Sequence, residues 1–194
     1  MESVLITKEI RQRLLPYRQI PTHFGYPRVK SLYKYFYKLD LERFNILVKE
    51  PIDCMNFIIE HMIYTDDKIT HHAPEHWLRS AKDVYKWIFD IRKDDCDGAA
   101  VSLGSILYSL NNPDIRIGIG YYGDPRYANT ETQQINHAYN MIHQNDQHYL
   151  LDAVGDVQER RMDLMDDHSE YITYISAAPD GRIWLHGPWI KAFT

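Results

Sequence analysis

Apolar positions recur at the helical period through the first half of the chain and alternate through much of the second. Residues 4–15 carry Val4, Leu5, Ile6, Ile10, Leu14 and Leu15, which predicts a short amphipathic helix ended by Pro16. Pro21, Gly25 and Pro27 mark an irregular connector. Residues 29–48, rich in aromatic and basic side chains, read as helical, with Tyr33, Tyr35, Phe36, Tyr37, Phe44 and Leu47 as apolar positions. Ile52, Met55, Ile58, Ile59, Met62 and Ile63 give a helix over 51–65, and Trp77, Leu78, Ala81, Val84, Tyr85, Ile88 and Phe89 give another up to Ile91. From Cys96 to Leu110 the apolar face is wide, as in a centrally buried helix, and Asn111-Asn112-Pro113 stops it.

Beyond this point the period falls to two. Ile115, Ile117, Ile119 and Tyr121 alternate along 115–122. Residues 136–142 and 147–154 are two further strands around the polar turn His143-Gln144-Asn145-Asp146. Residues 171–176 and 182–186 form a last hairpin with Pro179-Asp180-Gly181 as its turn. Helices followed by antiparallel strands predict an α+β fold, with the helix starting at Cys96 packed on an antiparallel sheet.

Composition narrows the classes. The chain has 194 residues, 44% hydrophobic and 25% charged, which excludes a mostly disordered protein. At this length it is one domain, or one domain with an arm. Two cysteines exclude a disulfide scaffold and a zinc site built from paired cysteine knuckles. No apolar run approaches the roughly 20 residues that span a bilayer, and no basic, apolar leader opens the sequence. A cytoplasmic setting with free thiols is expected. The charge is split: residues 1–50 hold 10 Lys/Arg and 5 Asp/Glu, and residues 51–194 hold 12 and 22. We therefore read 1–50 as a basic, aromatic-rich arm and 51–194 as the main domain. The arm could meet a protein partner or pack on its own body.

Cys96 is the candidate centre of chemistry. It stands at a predicted helix N-terminus, where N–H groups and the helix dipole favour a thiolate. Asp94, Asp95 and Asp97 oppose that by like charge. An imidazolium partner is then needed, and His137 is the candidate. A turn centred between Gln144 and Asn145 pairs residues whose numbers sum to 289, which sets His137 directly opposite Asp152. Tyr139–Leu150 and Met141–His148 would flank this pair. A carboxylate beside an imidazole orients a general base. Packing alone also accounts for a buried Cys and a strand His.

The segments Asp95-Cys96-Asp97-Gly98-Ala99-Ala100, Asn136-His137-Ala138-Tyr139 and Tyr149-Leu150-Leu151-Asp152-Ala153, with Trp77 upstream, resemble the transglutaminase-like superfamily. The order Cys, His, Asp and its spacing match over residues 52–156. Asp94 stands where such proteins often have Gly, and Tyr139 replaces a frequent Trp. The resemblance implies a papain-like fold in which Cys96 is the nucleophile, His137 the general base and acid, and Asp152 the orienting carboxylate. It implies acyl transfer from an amide of a protein or peptide, with no cofactor. Water as acceptor gives a peptidase or amidase, and lysine gives a crosslinking enzyme. The backbone N–H of Cys96 is one oxyanion donor, with Trp77 or Asn56 as candidates for the second. The alternative is a catalytically silent module of this fold within a larger assembly such as a phage particle, motivated by the arm and the aromatic C-terminus with Trp184 and Trp189.

Other motifs are weaker. His72 and His76, beside His71 and Glu75, have metal-ligand spacing, but Pro74 interrupts them and a loop is the better reading. Asp95-Cys96-Asp97-Gly98 lacks the later acidic residues of a calcium loop, so no metal is expected. Cys54 reads as inert core. The alternating run Lys30–Lys38 has the composition of a nucleic-acid groove, though helical packing explains it better.

Overall fold

A computed structural model of the chain describes residues 3–7, 29–66, 69, 77–112, 114–127, 135–154 and 162–187. Helix α1 spans Pro51–His61. Glu50 and Asp53 cap it reciprocally, and Pro51 pre-sets φ at its first position. Helix α2, Ala81–Lys86, starts at Ser80, whose hydroxyl accepts the Asp83 N–H, and runs on into a π-helical turn, Trp87–Ile91. Helix α3, Cys96–Ser109, has Asp95 as its N-cap.

The strands are β1 (Ser3–Leu5), β2 (Ile63–Tyr64), β3 (Lys93–Asp94), β4 (Ile115–Tyr122), β5 (His137–Gln144), β6 (Gln147–Leu151), β7 (Asp163–Leu164), β8 (Tyr171–Ala177) and β9 (Ile183–His186). Strands β2 and β3 pair in parallel by themselves. The others form one antiparallel sheet in the order β1-β9-β8-β4-β5-β6-β7. The architecture is therefore α+β. Among the described residues no helix is long and apolar enough to cross a membrane.

Alternation decides what each sheet face does. Ile115, Ile117, Ile119, Ala138, Ile142, Ile175, Ala177, Ile183 and Leu185 are buried in one core with Leu103, Ile106 and Leu107 of α3. Every residue of α3 from Cys96 to Leu107 is buried. Cutting Leu103 or Ile106 to Ala would cost about 2–5 kcal/mol. The serines of this apolar helix are not idle: Ser105 and Ser109 accept the backbone N–H groups of Tyr37 (3.1 Å) and Leu39 (2.7 Å), strapping the preceding loop along it. The other sheet face holds a smaller cluster of Tyr139, Met141, Leu150, Met165 and Tyr171.

Several local expectations need correction. Val4 and Leu5 lie in β1 on the sheet edge, not in a helix, because β9 offers an unpaired edge to an apolar segment. The rest of the expected 4–15 helix, and the connector through Pro27, lie outside the described residues. The 29–48 segment is a 3-10 helix only over Val29–Tyr35 and then turns, with Asn45 left-handed at φ 54°. It is nonetheless packed: Leu32, Phe36, Leu39 and Ile46 are buried in the main core. The helix expected over 51–65 stops at His61, where the chain turns extended to pair with β3. That expected up to Ile91 begins at Ser80 and widens to the π turn.

Two features of the sheet set up the site. The β5–β6 hairpin closes on Asn145 (φ 51°) and Asp146 (φ 59°), a two-residue turn of the type that matches strand twist. Pairs therefore sum to 291 rather than 289: Met141 faces Leu150 and His143 faces His148. The expected register was two residues off. An even shift leaves every side chain on its expected face. The second feature is a bulge in β8. Ile119 pairs with Ile175 but Gly120 pairs with Thr173, so Tyr174 is an extra residue. Beyond it Tyr171 and Thr173 share a face with Tyr122 and with His137, the β5 partner of Gly120. Gly120 permits this approach: a Cβ there would sit 2.0 Å from the Ile172 carbonyl oxygen.

Candidate active site

Three elements converge where α3 begins. Cys96 is the first residue of α3 and 7% exposed. Its Sγ accepts the backbone N–H of Ala138 at 3.4 Å. That contact sets the thiol against the start of β5, one residue from His137.

His137 Nε2 meets Asp152 Oδ2 at 2.6 Å, with both side chains almost fully buried. Continued past β6, the hairpin register sets Asp152 opposite Tyr139. The bond to His137 is therefore a diagonal one, reached by side-chain length rather than direct facing. Asp152 Oδ1 accepts the Val154 N–H at 2.9 Å. Oδ2 also accepts the Tyr171 hydroxyl at 2.7 Å. Burial pushes the Asp152 carboxyl up, but the His137 charge and these hydrogen bonds outweigh it and hold the group below its ordinary value. Tyr171 moves the other way: burial, then the neighbouring carboxylate, push its phenol far up, so it stays protonated and donates.

Aromatic rings wall the imidazole. The centroids of Tyr122, Tyr139 and Tyr171 lie 5.2, 5.8 and 5.9 Å from that of His137. Tyr139 is fixed in turn by a 2.5 Å hydrogen bond to Thr173 Oγ1. Tyr139, where the resembled proteins often carry Trp, is thus a wall of the imidazole pocket. None of the roles of Tyr122, Tyr139 and Tyr171 was foreseen. The available signal was Gly118 and Gly120 in an otherwise apolar strand, a pattern that marks bulges and close backbone approach.

The remaining candidates fall as follows. Trp77 is buried with its ring 4.8 Å from Tyr35, whose phenol is pushed up by burial and feels Asp97. Asn56 lies on α1, and its buried side-chain oxygen has no hydrogen-bond partner among the described residues. Asp94, Asp95 and Asp97 each offer a carboxylate oxygen within 4.8 Å of one another, with Asp94 and Asp97 wholly buried. Gly98 is needed there, since a Cβ would sit 2.1 Å from Asp94 Oδ2. His71, His72, Glu75 and His76 lie outside the described residues, as does Trp189. Cys54 is fully buried, and burial followed by Asp53 pushes its thiol up to about 12.

No protein-family model and no curated protein sequence matches the chain. Solved structures do. The chain is similar to LapG of Legionella pneumophila, at 16% identity and a TM-score of 0.51, over 97% of this chain and 90% of that one. The calcium-bound form of that protein gives 15% identity and a TM-score of 0.52, over 96% and 90%. With the antiparallel sheet and its helices, these likenesses give the chain the transglutaminase-like, papain-like fold.

Proposed function

We propose that the chain is a cysteine peptidase or amidase of this fold, acting on a protein or peptide through Cys96, His137 and Asp152. The observation that carries the reading is convergence: the Cys96 thiol lies against the N–H of Ala138, while the neighbouring His137 is held on Asp152 through Nε2. This leaves Nδ1 as the nitrogen to exchange a proton with sulfur. Proton transfer from Sγ to His137 forms a thiolate–imidazolium pair that the buried carboxylate stabilises. The thiolate attacks the amide carbonyl, and the Cys96 N–H at the helix end donates to the developing oxyanion. The amine leaves with the proton of His137. Water then attacks the thioester, returns a proton to His137 and releases the acid. A lysine in place of water would crosslink instead.

The three aspartates belong to this reading. Their charge beside Cys96 disfavours a thiolate. Calcium ligands lie about 2.3–2.6 Å from the ion, so carboxylate oxygens grouped within 4.8 Å fit one hard cation, and the Gly98 contact keeps Asp94 in that group. Asp94, Asp95 and Asp97 would hold it. When bound, such a cation neutralises the negative field at the head of α3. The sequence pattern alone, lacking the later acidic residues of a calcium loop, predicts no metal here.

The test is alkylation by iodoacetamide at neutral pH, read by intact mass and peptide mapping, in wild type and His137→Ala, with calcium or with chelator. Fast labelling of Cys96 alone, slowed by the substitution, supports the triad. Equal slow labelling of Cys54 and Cys96 in the wild type would sink it. A Cys96 rate and melting temperature indifferent to calcium would sink the cation site alone.

A further inference from the structure

The sheet curls strongly around the face turned away from α3. His148 of β6 and His186 of β9 are four strands apart in the sheet order, a span of about 19 Å in a flat sheet. Their ring centroids nonetheless lie 6.1 Å apart. The hollow so formed is apolar around Tyr139, Met141 and Leu150. At the far end of β5 from His137 it is cationic instead. Arg116 of β4 is 6% exposed, and its guanidinium carbon lies 3.8 Å from the centre of the Trp184 ring. Its Nη1 is buried with no hydrogen-bond partner. Asp114 and Asp180 are near enough to favour its charge, but neither is bonded to it, and Asp180 is bonded to Arg182 at 2.6 Å. His143 and His148 face each other across the hairpin with ring centroids 4.6 Å apart, and each has a buried Nδ1 without a partner. Arg116 is close enough to His148 to add to burial in pushing that imidazole towards its neutral form.

A buried charge with no bonded counter-charge is costly, and so is each buried nitrogen left without a partner. One kind of ligand offsets all three, an oxyanion. A cation does not fit: Arg116 repels it, and among the described residues the ligand atoms grouped closely enough for one ion are those of Asp94, Asp95 and Asp97, at the head of α3. We propose that this hollow is a binding site for a phosphate group, held by Arg116, His143 and His148. The guanidinium presents a fork of N–H donors from β4. The imidazoles present theirs from β5 and β6. Donors arriving from two sides suit the tetrahedral oxygens of a phosphate better than the single edge of a carboxylate. His186 Nε2 is bonded to Ser176 Oγ at 2.7 Å, which sets the ring that backs His148. The same chemistry serves free phosphate and the phosphoryl end of a larger molecule. The site shares no residue with the triad, so either can stand without the other.

The experiment is scanning fluorimetry and calorimetric titration of the full chain in calcium-free chloride buffer. The probes are inorganic phosphate, O-phosphoserine and acetate, each matched in ionic strength with sodium chloride. Phosphate at a hundredfold excess over its Kd is expected to raise the wild-type melting temperature by about 5–10 °C. Arg116→Gln and His148→Gln each weaken phosphate binding by about tenfold or more. A response to phosphoserine as strong as that to phosphate assigns the site to a phosphoryl end, and a response to phosphate alone assigns it to the free ion. Should Arg116→Gln fail to fold, His148→Gln carries the test alone. A wild-type chain with no melting shift and no heat beyond the chloride control overturns the site, as does a phosphate response that the folded variants retain in full. An acetate response equal to that of phosphate overturns the choice of phosphate.

Discussion

The two cysteines occupy nearly equivalent places in the secondary structure and have opposite surroundings. Cys54 is the fourth residue of α1, and Cys96 is the first of α3. Each lies in the opening turn of a helix, each has carboxylates close in sequence, and each is buried or nearly so. Around Cys54 there is apolar core. Burial, and then Asp53, drive its thiol up to about 12, and the N–H at its own position recovers only part of that. Cys96 instead touches an N–H of another element, next to a histidine held by a buried carboxylate. A helix N-terminus alone therefore does not activate a thiol. Under the proposed triad what lies across from it does, and here a hairpin supplies it.

The comparison can be broken most directly at the imidazole. In His137→Ala the labelling rate of Cys96 at neutral pH is expected to fall by about a hundredfold or more, towards that of Cys54. Competitive labelling with light and heavy iodoacetamide measures the ratio within one sample. A ratio unchanged by the substitution would mean that position, not the imidazole, separates the thiols. Asp152→Asn keeps the shape and removes the charge. The Cys96 rate should drop by about tenfold to a hundredfold, as expected when a carboxylate no longer orients and stabilises a histidine. Gly120→Ala attacks from the other side. Its Cβ meets a backbone oxygen, so a loss of about 1–3 kcal/mol is expected. Cys54 labels only when the fold opens, so its rate should rise by about tenfold for each 1.4 kcal/mol lost. Guanidinium titration checks the same loss independently.

The smallest expected effect is on pH. Burial first, then Arg116 and His143, lower the His148 imidazole to about 4. The unfolded chain takes up that proton below about pH 6.5, while the folded chain resists until about 4. Stability should therefore decline as pH falls through this window. Scanning fluorimetry would read it as a falling melting temperature, flattened in His148→Gln. Asp152 acts lower down: its carboxyl is held below the ordinary value, so its contribution is present above about pH 3.9 and is lost only as pH falls further. The two windows thus separate the His148 side of the sheet from the site.

Much of this was legible in the sequence. The period of two over 115–122 predicted β4 at its observed bounds, and the wide apolar face from Cys96 to Leu110 marked the buried helix. Asp152 was assigned to the correct face despite a misplaced turn, because a slip of two residues preserves alternation. Less was legible where one pattern fits two structures. Val4 and Leu5 suit a helix face as well as a strand edge, and only the open side of β9 decides between them. The tyrosine surround of His137 was hidden for a different reason. A simple alternation through 171–176 cannot show that Tyr174 is an extra residue, since its insertion is a property of the pairing with β4.

That insertion gives β8 something like two reading frames. Upstream of Tyr174 the strand is read in one phase, and Tyr171 and Thr173 face the histidine; downstream it is read in the other, and Ile175 and Ala177 face the helix. Each half keeps its phase through its own pairing with β4. Deleting Tyr174 would leave Ile175 opposite Ile119, Thr173 opposite Gly120 and Tyr171 opposite Tyr122, an unbroken alternation with the hydroxyl still beside Asp152. Tyr174 is therefore spare length in this strand, which the bulge takes up. Among relatives of this fold, a one-residue gap at this position would leave the site in register.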